Sequence, residues 1–161
     1  MNYAKLQADM LRDLDKKNHG KRTPRYDYAL RAESVWIVVN GQLAVAVPFR
    51  RFYLDIDKVF PDQDQVDVGR YLKASWEYDA ALYTHTTKTV EVSINRKEKV
   101  AAFKVASGGP TVWVNENYLK YFDLDACEFQ ALNKRSPVFV YEQGEPVGFI
   151  FPVIIKEEVN E

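Results

Sequence analysis

The sequence predicts an α+β protein of antiparallel β-sheets with two main helices, and three observations carry that reading. Apolar residues recur with a helical period over 3–17, the period switches to two on either side of Asn40-Gly41, and the last third runs strand, helix, strand, strand, strand. At 161 residues the chain is long enough to bury a core without disulfides or metal. It reads as one domain: a helix and basic connector over 1–25, a strand-rich body over 26–155 and a frayed acidic tail over 156–161.

In the first segment Tyr3, Leu6, Met10, Leu11 and Leu14 follow the helical repeat, with Asp9, Arg12, Asp13 and Lys16 on the remaining positions. Asn18-His19-Gly20 stops that helix, and Lys21 to Arg25, with Pro24, connects it to the strand-rich body. SVWIVV and LAVAVP flank Asn40-Gly41, the dipeptide suited to the positive φ angles of a type I′ hairpin turn. From Leu54 to Glu77 the pattern weakens, and a loop with one short helix near Val68 to Ala74 is expected.

ALYTHTT and then KTVEVSIN read as strands, the second with Val90, Val92 and Ile94 alternating with Thr89, Glu91 and Ser93. Arg96 to Lys99 reads as a loop leading into the strand VAAFKVA, which Gly108-Gly109-Pro110 breaks. TVWVN is a further strand, and Asn115 caps a helix through Glu116 to Leu124 with Tyr118, Leu119 and Phe122 as its apolar stripe. EFQALN, SPVFVYE and PVGFIFPVII close the chain as strands. The arms around Asn40-Gly41 and around Gln143-Gly144 resemble each other, through shared turn chemistry or an internal repeat.

Within that closing order, Leu132-Asn133, Ser136-Pro137-Val138 and Phe151-Pro152-Val153 resemble the closing half of a domain of the bacterial sliding clamp, the processivity factor of the replicative polymerase. The resemblance spans the last third of the chain. It implies antiparallel sheets covered by two helices and no enzymatic activity. A clamp ring is assembled from six such domains and this chain holds at most one, and ENYLKYFDL offers only Lys120 where clamp helices facing DNA are rich in cations.

The composition excludes several function classes. Net charge is −1, so no global field draws the protein to nucleic acid or a membrane. The N-terminus lacks the apolar core of a secretory signal and no run approaches a membrane span, so a cytoplasmic location is expected. His19 and His85 share no ligand spacing, which leaves no zinc set, and the single Cys127 has no base near it in sequence. Asp62 to Asp67 has the wrong spacing for a calcium loop, with Lys73 where the bidentate Glu belongs, and reads as a solvated loop. Gly108-Gly109-Pro110 lacks the Lys-Ser/Thr pair of a phosphate loop. No catalytic residues, metal site or cofactor are expected.

The expected function is therefore binding or assembly without catalysis. Phe149, Ile150, Phe151, Pro152 and Ile154, on the two faces of the last strand, form the expected apolar contact surface for a protein partner or a second copy, with burial under the N-terminal helix as the alternative. The other reading is a nucleic-acid-associated accessory protein of a phage or mobile element. It rests on Lys16, Lys17, Lys21, Arg22 and Arg25, followed by Tyr26 and Tyr28, because cations with neighbouring aromatics suit single-stranded nucleic acid.

Overall fold

Helix α1 (Tyr3–Asn18) forms where the helical period predicts it. Asn2 caps its start, accepting from the Lys5 N–H at 3.1 Å. At its end the Gly20 N–H donates to the Lys17 carbonyl at 3.0 Å and the Lys21 N–H to the Lys16 carbonyl at 2.9 Å, the two bonds of a Schellman stop. The buried face departs from the expected stripe: Leu6, Gln7, Asp9, Met10 and Asp13 are buried, and Leu11 is 50% exposed. The helix angle gives the reason. At about 100° per residue, Asp13 lies only about 20° from Leu6, whereas Leu11 lies about 100° beyond Met10.

The computed structural model describes residues 1–73, 80–93, 96–105, 111–131 and 135–154, with side chains over 1–71, 99–103, 111–131 and 135–154. The chain divides into two compact units, Met1–Ser75 and Trp76–Glu161. The fold class is α+β, as the sequence predicts.

In the first unit, β1 (Tyr26–Leu30), β2 (Ser34–Val39) and β3 (Leu43–Pro48) follow α1 as an antiparallel meander. The β2–β3 hairpin turns at Asn40-Gly41, whose φ angles of 53° and 66° are the left-handed values the dipeptide favours. β3 is buried on both faces, from Leu43 through Val47. β1 has no counterpart among the expected elements, because Tyr26-Asp27-Tyr28 lacks an alternating apolar set and is placed by pairing with β2, Tyr26 opposite Val39 and Leu30 opposite Val35. Helices α2 (Ile56–Val59) and α3 (Gly69–Lys73) lie in the stretch of weak pattern. The second is the expected short helix; the first is a single turn capped by Asp55, too short for a period to register.

The segment Asp62 to Asp67 is not simply a solvated loop. Gln63 Nε2 donates to the Tyr26 carbonyl at 2.9 Å, Val66 N–H to the Tyr28 carbonyl at 2.9 Å, and Gln65 Oε1 accepts from the Leu30 N–H at 2.7 Å. These bonds satisfy backbone groups of β1 that its pairing with β2 leaves over, and so close an edge open to strand addition. Alternating Gln and Asp therefore serves a pseudo-strand, with both glutamine side chains bonded to β1.

In the second unit the described strands are β4 (Ala80–Ser93), β5 (Arg96–Val105), β6 (Thr111–Asn115), β7 (Cys127–Gln130), β8 (Val138–Glu142) and β9 (Glu145–Ile150), hydrogen-bonded in the order β9-β8-β7-β4-β5-β6. The two expected strands ALYTHTT and KTVEVSIN are one strand, irregular between Tyr83 and Thr87. Arg96 to Lys99 is not a loop but the start of β5, since backbone pairing with β4 extends past the apolar run that sequence patterning detects. Asn115 caps a helix as expected, accepting from the Asn117 N–H at 2.9 Å. It is a 3₁₀ helix, Glu116–Tyr121, rather than one reaching Leu124. The three-residue repeat sets Tyr118 and Tyr121 one above the other, both buried, and the Asp123 carbonyl, accepting from the Ala126 and Cys127 N–H groups, closes the next turn.

The β8–β9 hairpin turns at Gln143-Gly144 with φ angles of 52° and 78°, the same chemistry as Asn40-Gly41. β9 ends at Ile150 rather than at Ile155, and beyond it the Val153 N–H donates to the Trp113 carbonyl of β6 at 2.7 Å. The chain beyond β9 is thereby tied to β6 of the same sheet. Its interior is aromatic: Phe103 and Phe129 lie 4.8 Å apart, Phe122 meets Phe129 edge-on, and Phe139 lies 5.8 Å from Phe149. Leu132-Asn133, Gly108-Gly109-Pro110, Ile94, Ile155 and the tail 156–161 lie outside the described residues, as do the side chains of His85 and of 96–98.

Candidate functional site

The first unit holds a concavity of about 340 Å³. Helix α1 supplies Met10, Asp13, Leu14 and Lys17, the connector Thr23 to Arg25, β1 its first residues Tyr26 and Asp27, and the end of α2 contributes Val59 and Phe60. Each element arrives for a local reason. The Schellman stop turns the chain out of α1, and Arg25 is then tied to the β2–β3 turn, its N–H donating to Asn40 Oδ1 at 2.8 Å and its carbonyl accepting from the Asn40 N–H at 2.8 Å. Tyr28 stacks on Phe60 with ring centroids 4.7 Å apart, which anchors the end of α2 against β1.

Both carboxylates of the pocket are occupied. Asp13, 5% exposed, accepts from the Tyr26 hydroxyl at 2.6 Å and meets Arg12 at 3.5 Å. Arg12 also holds the buried Asp9 at 3.1 Å, and the two aspartates, Asp9 first, raise its guanidinium above the ordinary arginine value. Asp27 accepts from Gln63 Nε2 at 2.7 Å and pairs with Arg25 Nε at 3.0 Å. With its acids neutralised in place, the pocket can take an apolar group without stranding a charge. Around it Lys16, Lys17, Lys21, Arg22 and Arg25 are all exposed.

Of the five cations singled out from the sequence, Lys17 and Arg25 line the pocket, and Arg25 is already paired. The aromatic half of that reading changes. The Tyr26 hydroxyl is taken by Asp13 and one face of Tyr28 by Phe60, and both side chains are half-buried. In the last strand Phe149 and Ile150 are 2% and 0% exposed, core residues covered on both faces of the sheet. Phe151 and Pro152 are half-buried, and Ile154, at 49%, is the exposed member of the set.

Asp13, Tyr26 and Gln63 carry the pocket without a sequence motif. Asp13 alone had a signal, its angle on the helix. His19 is exposed on the last turn of α1, its Nδ1 2.8 Å from the Asp15 carbonyl. Cys127 sits at the start of β7, opposite Glu142 on β8, and partial burial, then the Glu142 charge, push its thiol above the ordinary value. Among the described residues no group of three His, Cys, Asp or Glu side chains could hold a metal ion, and no helix is long and apolar enough to cross a membrane. Comparison with family models, curated proteins and solved structures finds no match to this chain.

Proposed function

We propose that this chain is a non-enzymatic, cytoplasmic binding domain that captures a short segment of a protein partner. An apolar side chain of the partner enters the pocket of the first unit while acidic residues beside it meet the surrounding cations. The pocket carries this reading: Met10, Leu14, Val59 and Phe60 line it, and its volume of about 340 Å³ falls within the range of ligand-sized sites. Lys16, Lys17, Lys21 and Arg22 have no carboxylate partner among the described residues, so an acidic flank adds ion pairs without displacing any.

The likeness to one sliding-clamp domain belongs to the same proposal, supported by the order β6, 3₁₀ helix, β7, β8, β9 in the second unit. Edge-to-edge assembly through β1 has less support, since Gln63, Gln65 and Val66 occupy that edge.

Selection from a displayed random-peptide library, followed by anisotropy with the labelled consensus peptide, tests the reading. The expected consensus is an apolar anchor beside two or more Asp or Glu. Leu14→Trp, which fills the pocket, should weaken the peptide at least about tenfold, equivalent to about 1.4 kcal/mol. Lys17→Glu with Arg22→Glu should weaken it comparably and remove its salt dependence. No consensus, or a peptide indifferent to both variants, refutes the proposal.

A further inference from the structure

We infer that Phe49 to Tyr53, in the first unit, is a binding site for single-stranded nucleic acid, distinct from the pocket and from the 16–25 cations. Phe49 and Tyr53 are 46% and 74% exposed, the latter the most exposed large apolar side chain among the described residues. Between them Arg50 and Arg51 are exposed and have no carboxylate partner among the described residues. Asp55, the next acid along the chain, is engaged in capping α2 through the Asp57 N–H at 3.0 Å. Two open rings flanking two guanidinium groups that no carboxylate neutralises match a strand that offers bases to stack and phosphates to neutralise.

The segment is held in place before any ligand arrives. Phe49 N–H donates to the Glu33 carbonyl at 3.1 Å, and Phe52 N–H closes the 3₁₀ turn onto the Phe49 carbonyl at 3.2 Å. Gln7, buried in α1, donates to the Arg51 carbonyl at 2.9 Å and accepts from the Tyr53 N–H at 2.7 Å. Arg51 lies over the Tyr3 ring, 5.5 Å from its centroid, which limits the conformations its cation samples. A backbone fixed at Phe49, Arg51 and Tyr53 gives up little further entropy on binding, while the side chains that do the recognising stay exposed. The 16–25 cluster differs in that its aromatic neighbours Tyr26 and Tyr28 are half-buried, where Phe49 and Tyr53 are exposed.

Anisotropy of a fluorescein-labelled oligo-deoxythymidine against the full chain across a salt series tests the inference, with the matching duplex alongside. The single strand should bind at low salt, more tightly than the duplex, and weaken as salt rises. Phe49→Ala with Tyr53→Ala should weaken it at least about tenfold and leave the salt slope unchanged, because stacking is lost and the phosphate contacts stay. Arg50→Ala with Arg51→Ala should flatten the slope by about 1.4, from two contacts at about 0.7 each. Tyr53→Trp, which keeps a stacking face, should retain binding and so separates lost stacking from lost folding. Absence of binding at the lowest salt, equal binding of the duplex, or loss caused by Lys17→Glu with Lys21→Glu while the 49–53 variants bind normally would each overturn it. Protein-partner docking on the same rings appears in this assay as no binding, and so counts against the inference.

Discussion

Replacing Gln7 with leucine removes the two bonds that hold the 49–53 segment to α1, along with a longer one within the helix, from Nε2 to the Tyr3 carbonyl at 3.2 Å. Gln7 is 4% exposed and makes two contacts far along the chain, Nε2 to the Arg51 carbonyl at 2.9 Å and Oε1 to the Tyr53 N–H at 2.7 Å. Leucine is close in volume, so no large cavity opens and the loss reports hydrogen bonds. At about 1 kcal/mol net per bond the variant loses about 2 kcal/mol, with up to about 1 more where water cannot reach the abandoned Tyr53 N–H. Urea unfolding followed by Trp36, 3% exposed in the first unit, reads this when Trp76 and Trp113 are replaced by Phe. With m at about 2 kcal/mol/M, the midpoint falls by about 1 M. Amide exchange adds a local readout: Tyr53 should lose protection by more than the global change accounts for. A stability change within about 0.5 kcal/mol together with an unaltered Tyr53 amide would refute the clamp role of Gln7.

Three further outcomes rest on the same geometry. Tyr26→Phe removes the 2.6 Å bond to the buried Asp13 carboxylate and should cost about 1.5–3 kcal/mol; a thermal midpoint unchanged from wild type would mean Arg12 satisfies that carboxylate alone. Gly144→Ala meets open space but forces a φ of 78° on a side-chain-bearing residue, so about 1 kcal/mol should be lost through backbone strain alone, and a neutral result in thermal unfolding would contradict that. Cys127, its thiol raised by burial and by Glu142, should alkylate with iodoacetamide more slowly than a free thiol near pH 8, and Glu142→Gln should speed it. The linked stability is present below the unfolded thiol's pKa and is lost as pH rises through the folded value. Alkylation faster than a free thiol would reverse the assignment.

Local chemistry was legible wherever a short stretch carries its own instruction. Asn40-Gly41 takes positive φ because few other dipeptides do so cheaply, Gly144 allows the second turn, and α1 stops at Gly20 through a cap whose bonds span no more than five residues. Partnerships across the chain were not legible. Tyr26 to Tyr28 become a strand by pairing with β2, and Gln63 and Gln65 look like solvated polar residues until the edge of β1 lies beside them. The contact surface expected at Phe149 and Ile150 failed for the same reason, since alternation tells which residues share a face but not whether both faces are covered.

Taken by itself, the sequence determined the α+β class, the two hairpin turns, the first helix and its ends, and the absence of charge or cysteine patterns that mark familiar chemistries. Each of these is set by interactions between residues a few positions apart, whose geometry the backbone already restricts. Only the tertiary structure decided that Asp13 is buried and answered by Tyr26, that the tyrosines after the basic connector are half-buried, and that Phe49 and Tyr53 stand open beside two arginines with no carboxylate partner among the described residues. Those outcomes depend on which distant groups arrive next to each residue. Burial and pairing are properties of that arrangement, not of the residue type.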